Sequence, residues 1–210
     1  MTKIDLNIVG NWYGDALKKH GAIPQSVGWK DPSAQKLRFE KLFTMLPPPN
    51  ANRNPFSIAE LGCGYGAAVN YLKEKHYNFT YQGIDICPEM IEEAQQIHTE
   101  ENAQFNLGHQ ISAPVDYCFE SGVFHTPFEN DKNLWEDHII ETLDNMHAMS
   151  NKAFAFNMIT TYVDYKEDQL YYADPTRYFS LCKEKYSKYV TLLHDYPLYE
   201  FTIIVRKNHE

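Results

Sequence analysis

Ile58-Ala59-Glu60-Leu61-Gly62-Cys63-Gly64-Tyr65-Gly66 is followed, about one helix later, by Gln82-Gly83-Ile84-Asp85. The first run reads as a buried strand that delivers an acid, Glu60, and then turns on glycines. A helix from about Ala67 and a second strand with a carboxylate at its tip complete the unit. Gly62 and Gly64 let the chain turn sharply and bring bare backbone against a ligand. The following helix aims its partly positive N-terminus at the same place. Asp85 stands 23 residues after Gly62, close to the ~20-residue offset at which an acid reaches a ribose diol. The pattern predicts a nucleoside-like ligand.

Glycine spacing narrows the choice. A dinucleotide fingerprint runs G-x-G-x-x-G, whereas here the glycines are Gly62, Gly64 and Gly66, preceded by Glu60. This E-x-G-x-G-x-G pattern resembles the class I S-adenosylmethionine-dependent methyltransferases. The resemblance implies that Gly62 and Gly64 hold the methionine part of S-adenosylmethionine and that Asp85 holds its ribose; Glu60, delivered by the same strand, and Cys63, a small side chain read as packing near the adenosine, are further candidate cofactor contacts. Ile86 leaves the same strand tip as Asp85, and Met90, one turn into the next helix, is placed to pack on adenine, although Met90 reads equally well as core filling on a helix face. His109, after the third strand, stands where the family often has an acid, which is a departure.

Composition bounds the rest. A chain of 210 residues suits one α/β domain, since such domains reach ~200–250 residues. A formal net charge of −9 and scattered basic residues argue against a nucleic-acid partner, which needs clustered Lys and Arg. No apolar run approaches a membrane span, and the first ten residues show no secretory signal. Cys63, Cys87, Cys118 and Cys182 form no C-x-x-C pair and no His-containing metal spacing. Reduced, structural cysteines, a cytoplasmic location and no bound metal are the expectations. The chain is expected as a monomer or homodimer.

Residues 1–50 read as a helical cap. Asn11–Lys19 predicts one short helix stopped at His20-Gly21, and Asp31-Pro32 starts another that the run Pro47-Pro48-Pro49 ends. Pro47–Pro55 reads as a linker. From about 56 to 207 strands and helices alternate. Strands are predicted at Ser57–Leu61, Tyr81–Ile86, Gln104–Leu107, Val115–Glu120, Ala153–Ile159, Tyr189–His194 and Glu200–Val205, and helices at Ala67–Lys75, Pro88–Thr99, Asn133–Met149 and Thr176–Lys185. This α/β alternation predicts a Rossmann-like three-layer sandwich with a mostly parallel seven-stranded sheet. The short Asp195–Tyr199 connection demands an antiparallel final hairpin, again similar to the class I methyltransferases.

Ligands of such sheets bind beyond the C-terminal strand ends, which selects Glu120, Ser121 and Phe124 after the fourth strand. The resemblance places this strand end beside the reactive methyl. His125 is a candidate general base, because a neutral imidazole takes a proton near neutral pH. It competes with the reading of a plain loop histidine. His194, at the end of the sixth strand, is the second candidate. Tyr13, Asn157, Tyr171 and Tyr172, with Phe124, are candidate acceptor contacts, although tyrosine-rich segments also pack without catalysis. Arg38 is a candidate partner of the methionine carboxylate, or else an ion pair with a nearby acid.

The functional expectation is in-line methyl transfer from S-adenosylmethionine to an oxygen or nitrogen of a small polar metabolite; Asn157, Tyr171–Pro175, Leu192–Tyr196 and Tyr199–Thr202 resemble a bacterial small-molecule subgroup of the family, and that resemblance implies a sugar or sugar derivative as one acceptor class. Two alternatives stand beside it. One is an S-adenosylmethionine-binding module without turnover. The other is a nicotinamide-dependent oxidoreductase, against which the glycine spacing counts.

Overall fold

The computed structural model describes residues 4–49, 54–128 and 130–208. Residues 50–53 of the predicted linker lie outside them. The cap opens with α1 (Leu6–His20), a 3₁₀ turn at Pro24–Val27, α2 (Pro32–Leu42) and a 3₁₀ turn at Phe43–Met45. The predicted first helix begins five residues too late. The Asp5 side chain accepts from the Asn7 amide and caps a helix that already contains Leu6 and the buried Val9. Lys18, Lys19 and His20 occupy its last turn, where cations suit the helix dipole. α2 starts as its sequence demands, with Asp31 accepting from the Ala34 amide and Pro32 at the first helical position.

The core alternates β1 (Phe56–Leu61), α3 (Ala67–Glu74), β2 (Phe79–Asp85), α4 (Pro88–Ile97), β3 (Ala103–Leu107), β4 (Val115–Glu120), α5 (Lys132–Met149), β5 (Ser150–Ile159), α6 (Pro175–Lys185), β6 (Tyr189–Leu193) and β7 (Glu200–Arg206). The sheet order is β3-β2-β1-β4-β5-β7-β6. β1 to β5 pair in parallel, and β7 runs antiparallel to both β5 and β6. β5 starts three residues earlier than expected. α5 passes into it with no intervening loop, because Ser150 both caps the helix and opens the strand.

Each face of the sheet is covered. On one side Phe56, Ile58, Phe79 and Phe119 pack against Phe39 and Leu42 of α2, Val69 and Leu72 of α3, and Ile91 of α4. On the other, Ala59, Cys118, Phe154, Phe156 and Ile203 meet Trp135, Ile139, Leu143 and Met146 of α5, with Tyr178 and Cys182 of α6. The period-2 alternation of strand side chains produces this division. Each large apolar side chain so buried contributes roughly 1.5–3 kcal/mol. All four cysteines are buried and unbridged. Among the described residues, no helix is long and apolar enough to cross a membrane. The order of strands reverses between β1 and β4, so the ligand crevice belongs above that pair.

Candidate cofactor and acceptor sites

Two cavities open above the β1–β4 junction. The first is lined by Gly62 and Gly64 after β1, Asp85 and Ile86 at the tip of β2, Met90 of α4, Gly108 and His109 after β3, and Ser121–Val123 after β4. The glycine turn is built as its sequence demands. Gly62, Gly64 and Gly66 have φ of +72°, +51° and +81°, a region that residues with a Cβ disfavour. A Cβ on Gly62 would stand 2.4 Å from Val123 Cγ2, and one on Gly64 would stand 2.9 Å from Val27 Cγ1. The Asp85 carboxylate faces this turn. Its Oδ2 accepts from the Gly64 amide at 2.8 Å and its Oδ1 from the Cys87 amide at 2.9 Å. Burial raises its pKa, while those two amides hold it down.

The second, larger cavity holds about 1040 Å³. The cap supplies Ile8, Trp12, Trp29, Lys30 and Arg38; His125 follows β4; Tyr165, Glu167 and Tyr172 come from the segment after β5; and Glu200 opens β7. Tyr13, Val27, Trp29, Gly122, Thr126 and Phe128 line both cavities. The two therefore share one wall, made jointly by the cap and the loop after β4.

At the floor of the second cavity lies a buried ion pair. Arg38 Nε donates to both Glu200 oxygens, at 3.1 and 2.9 Å, and its Nη2 also donates to Glu200. Asn157 Nδ2 donates to Glu200 Oε2 at 3.0 Å, and Asn157 Oδ1 accepts from the Gly122 amide at 2.8 Å. Glu120 Oε1 accepts from the Asn157 amide and Oε2 from the Val123 amide, while burial pushes its carboxyl up to about 8. His125 is 7 % exposed, and its Nε2 has no hydrogen-bond partner. Burial, opposed by Glu200, drives its pKa down to about 4, so the ring is neutral at neutral pH.

The sequence candidates divide accordingly. Gly62, Gly64, Asp85, Ile86, Met90, His109, Ser121 and Tyr13 face the first cavity, and Tyr13, His125, Tyr172 and Arg38 face the second. Arg38 is a correction. It does not reach toward the glycine turn, because Glu200 at the β7 end claims its guanidinium. Glu60 and Cys63 stand behind the wall. Glu60 is buried on the central strand β1 and accepts from the Tyr81 hydroxyl, and the Cys63 thiol lies under Gly83 and bonds the Gly64 carbonyl. Glu120 and Asn157 spend their polar atoms on the backbone and on Glu200, one layer below the cavities. Phe124 is wholly buried in the core, and the Tyr171 hydroxyl is satisfied by Tyr178 and Glu136. Through its backbone Tyr171 does meet the loop after β4, since its amide donates to the His125 carbonyl at 2.8 Å. His194 is exposed beside Tyr162 and Phe201, outside both cavities. Its strand ends at Leu193, on the outer edge of the sheet.

Several lining residues were not legible as such. Trp135, His138 and Thr142 of α5 all line the first cavity. Their i, i+3, i+7 spacing marks a helix stripe beside the apolar one. Burial and the neighbouring His109 push His138 down to about 4.

The first cavity can be tested against S-adenosylmethionine on its own residues. The glycine cradle leaves no room for side chains. Asp85 offers a carboxylate to a diol, and Ile86 and Met90 offer apolar surface beside His109. Ser121 Oγ is buried without a partner on this wall. These groups fit the cofactor.

Similarity to known proteins agrees. Residues 58–153 match a family model described as a methyltransferase domain. The Mycobacterium tuberculosis (strain ATCC 25618 / H37Rv) protein named "Putative methyltransferase Rv1506c" is 46 % identical over 157 residues, covering 73 % of this chain and 95 % of its own. The chain belongs to the class I S-adenosylmethionine-dependent methyltransferases, and it is an enzyme of that class. Two solved structures share the fold. Magnesium protoporphyrin IX methyltransferase from Synechocystis PCC 6803 with bound S-adenosylhomocysteine superposes with a TM-score of 0.65 at 12 % identity, covering 97 % of this chain and all of that one. Haemonchus contortus phosphoethanolamine N-methyltransferase 1, in complex with phosphoethanolamine and S-adenosylhomocysteine, gives 0.68 at 13 % identity, covering 98 % of this chain and 50 % of that one.

Proposed function

We propose that the enzyme methylates an oxygen or nitrogen of a small polar metabolite, with a neutral sugar or sugar derivative as the acceptor class, and that the second cavity receives it. The carrying observation is the shared wall. A group seated against Trp29, Gly122 and Thr126 from one side abuts whatever fills the glycine turn from the other. The bound cofactor supplies a methyl group already activated on a sulfonium centre. The protein's part is to hold two molecules in one orientation, a contribution that reaches several kcal/mol in well-aligned systems.

Charge at the cavity floor supports a neutral acceptor. Arg38 and Glu200 cancel each other, and His125 is uncharged. A charged group brought to that floor loses its hydration against charges that are already paired, at a cost of several kcal/mol; Lys30 and Glu167 line the cavity elsewhere. The walls carry the rings of Trp12, Tyr13, Tyr165 and Tyr172. Such faces pack on the C–H surface of a ring while leaving its hydroxyls to polar groups. His125 Nε2 is the buried polar atom left to accept a proton or a hydrogen bond. Its depressed pKa makes it a weak base, so alignment carries most of the rate.

The test uses methyl-labelled S-adenosylmethionine with a panel of neutral sugars, amino sugars, uronic acids and simple amines. Labelled product is expected from the neutral hydroxylated members. Transfer confined to cationic or anionic members refutes this reading of the acceptor while leaving the enzyme class intact.

A further inference from the structure

Five residues from distant parts of the chain form a closed circuit around the shared wall. The Gly122 amide donates to Asn157, Asn157 donates to Glu200, and Glu200 pairs with Arg38. The Arg38 guanidinium carbon lies 3.7 Å from the centre of the Trp29 ring. The Trp29 ring returns to Gly122, where an added Cβ would stand 2.3 Å from Cη2. His125 meets the same ring edge-on at 5.5 Å. Trp29 and Arg38 belong to the cap, Gly122 to the β4 loop, Asn157 to β5 and Glu200 to β7. Arg38 and Glu200 have side chains only 8 % and 6 % exposed.

This construction calls for a reason. Burying an ion pair costs desolvation that its own attraction barely repays, so such a pair is weak evidence for stability. Here its geometry is spent on an aromatic plane. Arg stacks on indole with its flat face while its edge donates to a carboxylate. The pair thereby fixes both the position and the tilt of Trp29. The left-handed Gly28 (φ +79°) and the bond from the Trp29 amide to the Pro24 carbonyl at 2.9 Å fix its backbone.

We propose that Trp29 is the positioning residue that sets the distance between cofactor and acceptor, and that the Arg38–Glu200–Asn157–Gly122 circuit exists to hold its ring. The proposal rests on the reading of the second cavity as the acceptor site. Its cofactor-side consequences do not. Trp29 lines the cofactor cavity, so its ring responds to cofactor occupancy, and circuit residues that do not touch the cofactor transmit the same response. Gly122 is glycine because this ring occupies the space of a side chain.

The experiment uses S-adenosylhomocysteine as the probe, with calorimetry for affinity and tryptophan emission for the ring. Trp29→Ala is expected to weaken binding about 10-fold, and Trp29→Phe, which keeps a flat ring, to restore most of it. The emission change on adding S-adenosylhomocysteine should shrink in Trp29→Phe to the part contributed by Trp135, which lines the same cavity, and Trp135→Phe should leave the Trp29 part in place. Glu200→Gln should weaken binding several-fold in the native background and add nothing in the Trp29→Ala background. If Glu200→Gln fails to fold, Arg38→Lys carries the same comparison, since it keeps the charge and loses the stacking plane. Equal affinity of Trp29→Ala and the parent, or penalties from Trp29 and Glu200 that simply multiply, overturns the proposal. Failure of the parent to bind S-adenosylhomocysteine, by contrast, defeats the cofactor assignment itself.

Discussion

The first and second cavities share a wall and differ in how they are made. The first is largely a backbone device, with three left-handed glycines, strand tips and a carboxylate that ties the turn to the next strand. Its core elements are consecutive in the chain, from β1 to the start of α4. The second is a side-chain device. Its floor joins residue 38 to residue 200, and its walls come from the cap, the β4 loop and the segment after β5. The first can be reused for one ligand across many enzymes because backbone geometry is indifferent to most substitutions. The second can be altered one side chain at a time.

The comparison breaks most sharply at the glycine turn. Gly64→Val forces a branched side chain into φ +51° and toward Val27, so S-adenosylhomocysteine binding is expected to fall roughly 100-fold or more. A far-UV spectrum like that of the parent would show that the fold persists, and retained affinity in such a variant means the turn does not cradle the cofactor. Asp85→Ala comes next. Loss of charge-assisted hydrogen bonds to a diol should cost about 2–4 kcal/mol of binding by calorimetry. Part of that cost comes from freeing the Gly64 and Cys87 amides, which a fall in the unfolding midpoint reports separately.

On the acceptor side, His125→Ala is expected to lower methyl transfer ~10²-fold if the ring removes a proton, with S-adenosylhomocysteine affinity unchanged. Its pH behaviour is equally diagnostic. The folded pKa of about 4 lies below the ordinary value of 6.5. Between those values the unfolded chain binds more protons, so stability falls as pH drops from about 6.5 toward 4. His138, at about 4 for a similar reason, adds to the slope. His125→Gln should flatten part of it, by about 1–3 kcal/mol across that window in urea titrations. A slope identical to that of the parent shows that the ring is accessible to water. Smallest of all, His194→Ala should change neither affinity nor transfer beyond a factor of about 2, as expected of an exposed side chain away from the chemistry.

The same contrast explains what the sequence disclosed. The strands, the antiparallel final hairpin, Gly62, Gly64 and Asp85 were legible because each follows from local spacing or backbone chemistry. Trp29 was visible only as an aromatic in a cap, and Arg38 only as a cation with several possible partners. Nothing local says that Glu200 lies across the sheet from Arg38, since their meeting depends on the register that sets Glu200 opposite Ile159. His194 misled for a related reason. A strand end reaches the ligand crevice only if the strand lies near the switch point, and β6 is separated from β4 by both β5 and β7.

One consequence lies in the direction of β7. Parallel strands bring their last residues to the ligand edge, whereas an antiparallel strand brings its first, and that first residue is Glu200. On a chain emerging from the ribosome, every wall of the cofactor cavity has been synthesised once Thr142 is out. The floor of the second cavity stays open until the last hairpin folds back and brings Glu200 to Arg38. The residues that line the first cavity are thus all synthesised some sixty residues before Glu200, on which the floor of the second depends.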